Sequence, residues 1–364
     1  MNRLTAIGLA SLVAYGLLIA TKYAGVVSAA HEDRASPSET KTADAGDSSG
    51  VHALKPEPRQ TTLASFPAPI PQAKQPPRLT GIALEFRKAR DLKAFADELS
   101  ARAPNLRGDE RYYLAKALEE CLFATTVNED LASYSAKQRK QFLAGLTAGD
   151  VNNERRIAAY EASDSTQRCL GFQNAKLSQK DIDALYRAAA QQGDPGAQAR
   201  IITAELTKSV GKPSSDPAGP SGPVKFPQDD FATLVGLLES KNPEALMAVG
   251  QFLAQNAVSQ NLHVGPHGEI PEPSAFLGAF TLVACDVGQD CTSAAANRDL
   301  LQACAYGGYC NAQSFQDLFQ DFLASPWAYT QAMRYRAMIH TAIDQQNWGL
   351  IGLTPKLMMQ AAAK

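Results

Sequence analysis

FLGAFTLVACDVGQDCTSAAANRDLLQACAYGGYC, Phe276 to Cys310, carries one short pattern twice. Ala284 to Cys291 reads ACDVGQDC and Ala303 to Cys310 reads ACAYGGYC, so Ala-Cys, two residues, Gly, two residues and Cys recur with an offset of nineteen. Each copy reads as a helix end. The first Cys sits in the last turn, Gly288 or Gly307 takes the left-handed conformation that stops the helix, and the second Cys follows the reversal. Phe276 to Cys285 is apolar on all sides, which marks the buried central helix of a module. Helix geometry then selects the cysteine pairing. A helix over Thr292–Cys304 would be about 18 Å long, too far for Cys291 to meet Cys304. Local bonds remain, Cys285 to Cys291 and Cys304 to Cys310. Asn297 is the competing signal, because a cap there would shorten the helix and leave Cys291 on a longer loop.

Working outward, the compartment follows from the N-terminus. Arg3 precedes Leu4 to Ala20, seventeen residues without a charge, followed by Lys22 and a second apolar piece ending VVSAA at Ala30. That length suits a membrane anchor with the body outside the cytoplasm, and Ser28-Ala29-Ala30 offers the alternative of a cleaved signal. The expected location is therefore the inner membrane with a periplasmic body, or the periplasm or medium after cleavage. Six cysteines in an exported chain read as disulfides, and Cys121 is expected to bond Cys169. The rival is a buried free thiol on the apolar face that carries Cys121. Residues 31–80 contain eight prolines and no apolar period, which predicts a disordered tether.

Composition agrees with a globular body: 364 residues, 45% hydrophobic and 20% charged. A net charge of −2 and no basic cluster supply no field for nucleic acid, so none is expected as a partner. From Gly81 the apolar period is helical. Leu92, Phe95, Ala96 and Leu99 form one stripe, and Leu114, Ala117, Leu118 and Cys121 form the next, separated by Pro104 and Gly108. Helices from about Ala136 to Leu146 and Asn153 to Cys169 follow, the latter weakened at Ser163–Thr166. Ser178 to Ser209 reads as a hairpin, with Asp194 capping Pro195. Prolines 213, 217, 220, 223 and 227 mark a linker over 210–228. Another pair lies on Phe231–Leu238 and Leu246–Leu253, with Asn242 as cap. The last module adds a helix ending at Cys304, one from Ser314 to Leu323 and one from Pro326 to Trp348. The expected fold is all-α: antiparallel, repeat-like helical hairpins over 81–209, then a disulfide-stapled helical module over 229–364.

Two resemblances attach to these residues. "ALYRAAAQQGDPGAQARI", Ala184 to Ile201, resembles the hairpin of Sel-one-like repeats, relatives of tetratricopeptide repeats, and "LLESKNPEALMAVGQFLA", Leu237 to Ala254, keeps its turn and spacing. That likeness, over about residues 178–254, implies protein binding along a concave face. Residues 230–350 are similar to a group of uncharacterised exported proteins of Gram-negative bacteria with an ACDxGxDC...CAxxGxC core, which implies export and disulfides and no particular activity.

Candidate chemistry is sparse. Zinc-binding cysteine pairs are usually spaced by two to four residues rather than five, so no metal site is expected on the four clustered cysteines. His263 and His267 flank Gly265-Pro266 and cannot share a helical face; with Glu269 they read as a solvated turn rather than a metal loop. No cysteine has a local signature of catalysis with His263 or His340 as base. Asp286 and Asp290 stand near a helix C-terminus, where a carboxylate is unfavourable, and are the weak candidates for acid–base work. Trp327, Tyr329 and Tyr335 are the candidate binding aromatics, with burial in a core as the plainer reading. No phosphate-binding glycine loop or nucleophile elbow is present, so no cofactor is expected. The function expected is that of a membrane-tethered periplasmic adaptor or scaffold, which binds another protein or a cell-envelope component. The alternatives are an envelope-directed hydrolase using Asp286 or Asp290, and a purely structural exported protein.

Overall fold

The computed structural model describes residues 81–127, 129–210, 225–292 and 297–355. The N-terminal apolar segment, the tether, most of the 210–228 linker and the C-terminal end lie outside them. Among the described residues every extended element is a helix, and no helix is long and apolar enough to cross a membrane.

The chain enters through α1 (Ile82–Lys88), a short helix whose Ile82 and Phe86 are buried. Next comes α2 (Leu92–Ala101), on which Leu92, Phe95, Ala96 and Leu99 form the expected buried stripe, and Asp91 accepts from the amides of Lys93 and Ala94 as cap. It packs against α3 (Gly108–Glu120). The third helix starts earlier than its apolar period suggested, as α4 (Leu131–Ala144), because Asp130 accepts from the amide of Ser133. The fourth is two helices, α5 (Asn153–Ser163) and α6 (Ser165–Cys169), broken where Asp164 caps the second through the Thr166 amide. Cys169 ends α6 and bonds Cys121, with α-carbons 5.3 Å apart.

The hairpin of α7 (Gln179–Gln191) and α8 (Pro195–Val210) turns as its sequence requires. Gly193 has φ 84°, a left-handed value that a side chain disfavours, and Asp194 Oδ1 accepts from the Ala197 amide at 2.7 Å. The next hairpin is α9 (Gln228–Glu239) and α10 (Pro243–Asn256), where Asn242 Oδ1 accepts from the Ala245 amide. Successive pairs stack: α3 lies on α7, α8 on α10, and α10 on α11 (Pro273–Asp286). Glycine permits the last of these. A Cβ on Gly250 would lie 2.3 Å from the ring base of Phe280, so the two helices close onto that ring only because the position is bare. Phe276 and Phe280 are fully buried, each contributing about 2–3 kcal/mol by burial alone.

The repeated motif departs from its sequence reading in two places. In the first copy Gly288 has φ 117° and Cys285 bonds Cys291, as expected. In the second, α12 (Arg298–Gly307) runs through Gly307, and Gly308 takes the left-handed turn at φ 75°. With two glycines in tandem, helical bonding extends as far as it can before the chain reverses. The helix expected over Thr292–Cys304 instead starts at Arg298, because Asn297 accepts from the amides of Asp299 and Leu300. The length argument against a Cys291–Cys304 bond therefore fails, yet Cys304 still bonds Cys310. That bond is local, spanning six residues. Helix α12 itself packs on α5, where Arg156 Nε donates to the Ala305 carbonyl and Tyr160 stacks on Phe142 beside Tyr306. The segment read as a helix from Ser314 to Leu323 is a short α13 (Phe315–Leu318) followed by a π turn, Phe319–Leu323. The final helix, α14 (Pro326–Gln345), stops three residues short of Trp348 because Gln346 adopts a left-handed φ of 53°.

Charged contacts tie distant stretches together. Lys116 of α3 pairs with Glu244 of α10, and Glu120 of α3 accepts from both Arg168 of α6 and Arg298 of α12. The described residues all belong to one compact unit.

Candidate binding cleft

Helix α14 has two working faces. Ala328, Ala332, Tyr335, Ile339 and Ala342 are buried, and the helix packs on α11. Trp327, Gln331, Arg334 and Tyr335, at i, i+4, i+7 and i+8, line an open cleft of about 500 Å³. Ser325 sets the register of this face by accepting from the Ala328 amide, with Pro326 in the first turn. Trp327 in that turn is 61% exposed. Tyr335 is only 3% exposed and contributes its hydroxyl end, where Oη accepts from the Glu272 amide at 3.4 Å.

The opposite wall is the loop that joins α10 to α11. Val264 and Glu269 exchange two backbone hydrogen bonds, closing a turn in which Gly265 and Gly268 take left-handed φ values of 73° and 63°. The Gly265 amide donates to the Leu350 carbonyl, anchoring the turn beyond the end of α14. Ile270, Pro271, Glu272 and Pro273 then run along the cleft, and Val258 from the end of α10 closes it. Glu272 has a structural task as the cap of α11, accepting from the Ser274 amide and hydroxyl.

The electrostatics leave hydrogen-bonding capacity open. Arg334 Nη1 donates to Glu269 Oε2 at 3.1 Å, and Arg334 Nη2 lies 2.8 Å from Glu269 Oε1. Together the two contacts hold the carboxylate as an ion pair, and each carboxylate oxygen keeps a further lone pair. The Gln331 amide and the Trp327 indole N–H have no hydrogen-bond partner among the described residues. Burial pushes the Tyr335 hydroxyl up from its ordinary range, so it stays protonated and can donate.

The sequence candidates are thus redistributed. Trp327 and Tyr335 share the cleft. Tyr329 does not: it is half-buried near Phe319, and its Oη accepts from Gln316. Among the described residues no three His, Cys, Asp or Glu side chains are gathered where they could hold a metal, His263, Glu269 and His267 included. His263 Nδ1 instead lies 2.7 Å from the Gly268 carbonyl.

Asp286 ends α11 and is held by both Arg336 and His340 of α14; His340 Nε2 lies 2.8 Å from Oδ2. Burial pushes this carboxyl up, but the hydrogen bonds from His340 and Arg336 outweigh it and hold it below its ordinary range. That is the wrong direction for a general acid. Asp290 Oδ1 accepts from the Thr292 amide two residues on, and its carbonyl accepts from Asn297, both tasks of a turn residue.

Sequence reasoning missed the Ile270–Pro273 wall and the Asp286 clamp. Pro271-Glu272-Pro273 signalled a rigid segment, and Arg336 with His340 at i, i+4 signalled one helical face. Neither signal names what lies opposite. Compared with protein-family models, with curated proteins and with solved structures, the chain matches none.

Proposed function

We propose that this is an exported, membrane-tethered helical binding protein of the cell envelope, which engages another protein or an envelope component through the Trp327 cleft. One observation carries the reading. A large aromatic is held 61% exposed in a cleft beside the polar side chains of Gln331, Tyr335 and Glu269, on a helix–loop frame. Three disulfides suit an oxidising compartment, and the leading apolar segment suits export. The hydrolase alternative loses ground because Asp286 is already engaged by the Arg336 guanidinium and the His340 ring.

The test is site-specific photo-crosslinking in cells that produce the full chain. A crosslinker at position 331 should capture a discrete species, and Trp327→Ala should abolish the capture. A crosslinker at Val151, 92% exposed and outside the cleft, serves as control. Equal labelling from both positions, or labelling indifferent to Trp327→Ala, would refute the assignment.

A further inference from the structure

The cleft's polar groups are of both kinds. Glu269 is an acceptor with lone pairs beyond its two Arg334 contacts, while the Gln331 amide, the Tyr335 hydroxyl proton and the Trp327 indole N–H are donors with no protein acceptor among the described residues. A ligand that satisfies all of them presents donors and acceptors side by side. A simple anion only accepts and cannot meet the Glu269 carboxylate; a simple cation only donates and cannot meet the Gln331 and Tyr335 donors. Both are disfavoured.

The apolar part restricts the ligand further. Trp327 offers one open ring, flanked by Val258, Ile270 and Pro271. A flat molecule with one apolar face and a polar rim matches that layout. A peptide fits less well: no strand edge borders the cleft for main-chain pairing, and a single exposed ring is not the aromatic row that grips polyproline.

We propose that the cleft is a saccharide site, in which the C–H face of a pyranose stacks on Trp327. Each ring hydroxyl both donates and accepts, so adjacent hydroxyls donate to the remaining lone pairs of Glu269 and accept from Gln331 and Tyr335. Arg334 holds Glu269 in place as a positioning residue. The ligand class is a neutral or N-acetylated oligosaccharide; the proposal rests on the Trp327 cleft being the binding site.

The two tryptophans make the test direct. Trp348 is buried at 8% exposure, so a ligand-dependent change in emission reports Trp327. The full chain is titrated with chitotetraose, cellotetraose and maltotetraose, with saturation-transfer NMR on the sugar as a readout independent of fluorescence. At least one should saturate in the low-millimolar range or tighter. By NMR, Trp327→Ala should weaken it by at least about tenfold, the scale of one lost ring stack, and Gln331→Ala by a smaller factor. Saturation by none of the three, or unchanged binding to Trp327→Ala, overturns the saccharide assignment. So does saturation by a decaproline peptide alone. If crosslinking from position 331 still depends on Trp327 while every sugar fails, the binding function stands and only the ligand class falls; if both fail, the cleft binds nothing.

Discussion

Replacing Glu244 asks whether one buried charge holds the first hairpins to the later ones. Its carboxylate, 17% exposed, accepts from Lys116 Nζ at 2.9 Å on each oxygen, and Tyr112 and Tyr113 hydroxyls lie at 3.3 and 3.4 Å. Lys116, 23% exposed, lies 5.5 to 5.7 Å from the ring centres of Phe86, Tyr112 and Tyr113. In Glu244→Ala the ammonium keeps those rings and loses its ion-pair partner. Breaking a buried pair costs about 3–5 kcal/mol. Partial hydration and the cation–π contacts place this pair at the lower end, about 3 kcal/mol. Removing both charges in Lys116→Met with Glu244→Met also removes their desolvation, so the double variant should lie within about 1 kcal/mol of the parent. Urea unfolding of the full chain at pH 7, followed by circular dichroism, gives the midpoint and slope for each variant. A loss below about 1 kcal/mol in Glu244→Ala would place the pair with surface ion pairs and refute its role as a joint. A double variant as unstable as the single one would refute the desolvation argument. Burial pushes Glu244 up, but Lys116, Arg87 and the Tyr112 hydroxyl together outweigh it, so the carboxyl titrates below its ordinary range. The pair's stabilisation is present above the unfolded value of about 4.3 and is lost as the pH falls through the lower folded value.

Other perturbations test separate parts of the structure. Gly250→Ala should destabilise by about 1–3 kcal/mol, because its Cβ meets the buried base of the Phe280 ring. Gly236→Ala, in the exposed interior of α9 with nothing within 4 Å, should stabilise by about 0.5–1 kcal/mol; the two urea midpoints should move in opposite directions. Asp286→Asn should cost about 2–3 kcal/mol at pH 7, where it leaves the half-buried Arg336 without its counter-charge. Because the Asp286 carboxyl is held low, its contribution is present above about pH 4 and fades as the pH falls through the folded value, so the gap to the parent should narrow in melts at pH 3. Asp194 is a buried cap whose carboxyl burial pushes up, so Asp194→Asn, which keeps the acceptor for the Ala197 amide, should be tolerated at pH 7, while Asp194→Ala should lose about 1 kcal/mol. Alkaline phosphatase fused after residue 80 should be active if the N-terminal segment exports the body; an inactive fusion would sink the envelope assignment.

Much of this protein is local and therefore legible in its sequence. Helix caps such as Asp194 and Asn242, the left-handed glycines at 193 and 288, and the buried stripe of Leu92, Phe95 and Leu99 follow from interactions within a turn or two of chain. The disulfide of each repeated motif spans six residues, and that closeness keeps both pairings even though α12 starts six residues later than expected. What the sequence could not set is which face meets which. Trp327, Tyr329 and Tyr335 look alike as three aromatics on one helix. Their burial by α11, the π turn and the Ile270–Pro273 loop separates an open ring from two that packing has claimed. Asp286 looked like a free carboxylate near a helix end, and only the approach of α14 supplies Arg336 and His340, fifty and fifty-four residues away. Glu244 and Lys116 lie 128 positions apart, each unremarkable on its own helix. Such pairings depend on how whole hairpins stack, which the sum of burial over many side chains decides and no short stretch of residues encodes.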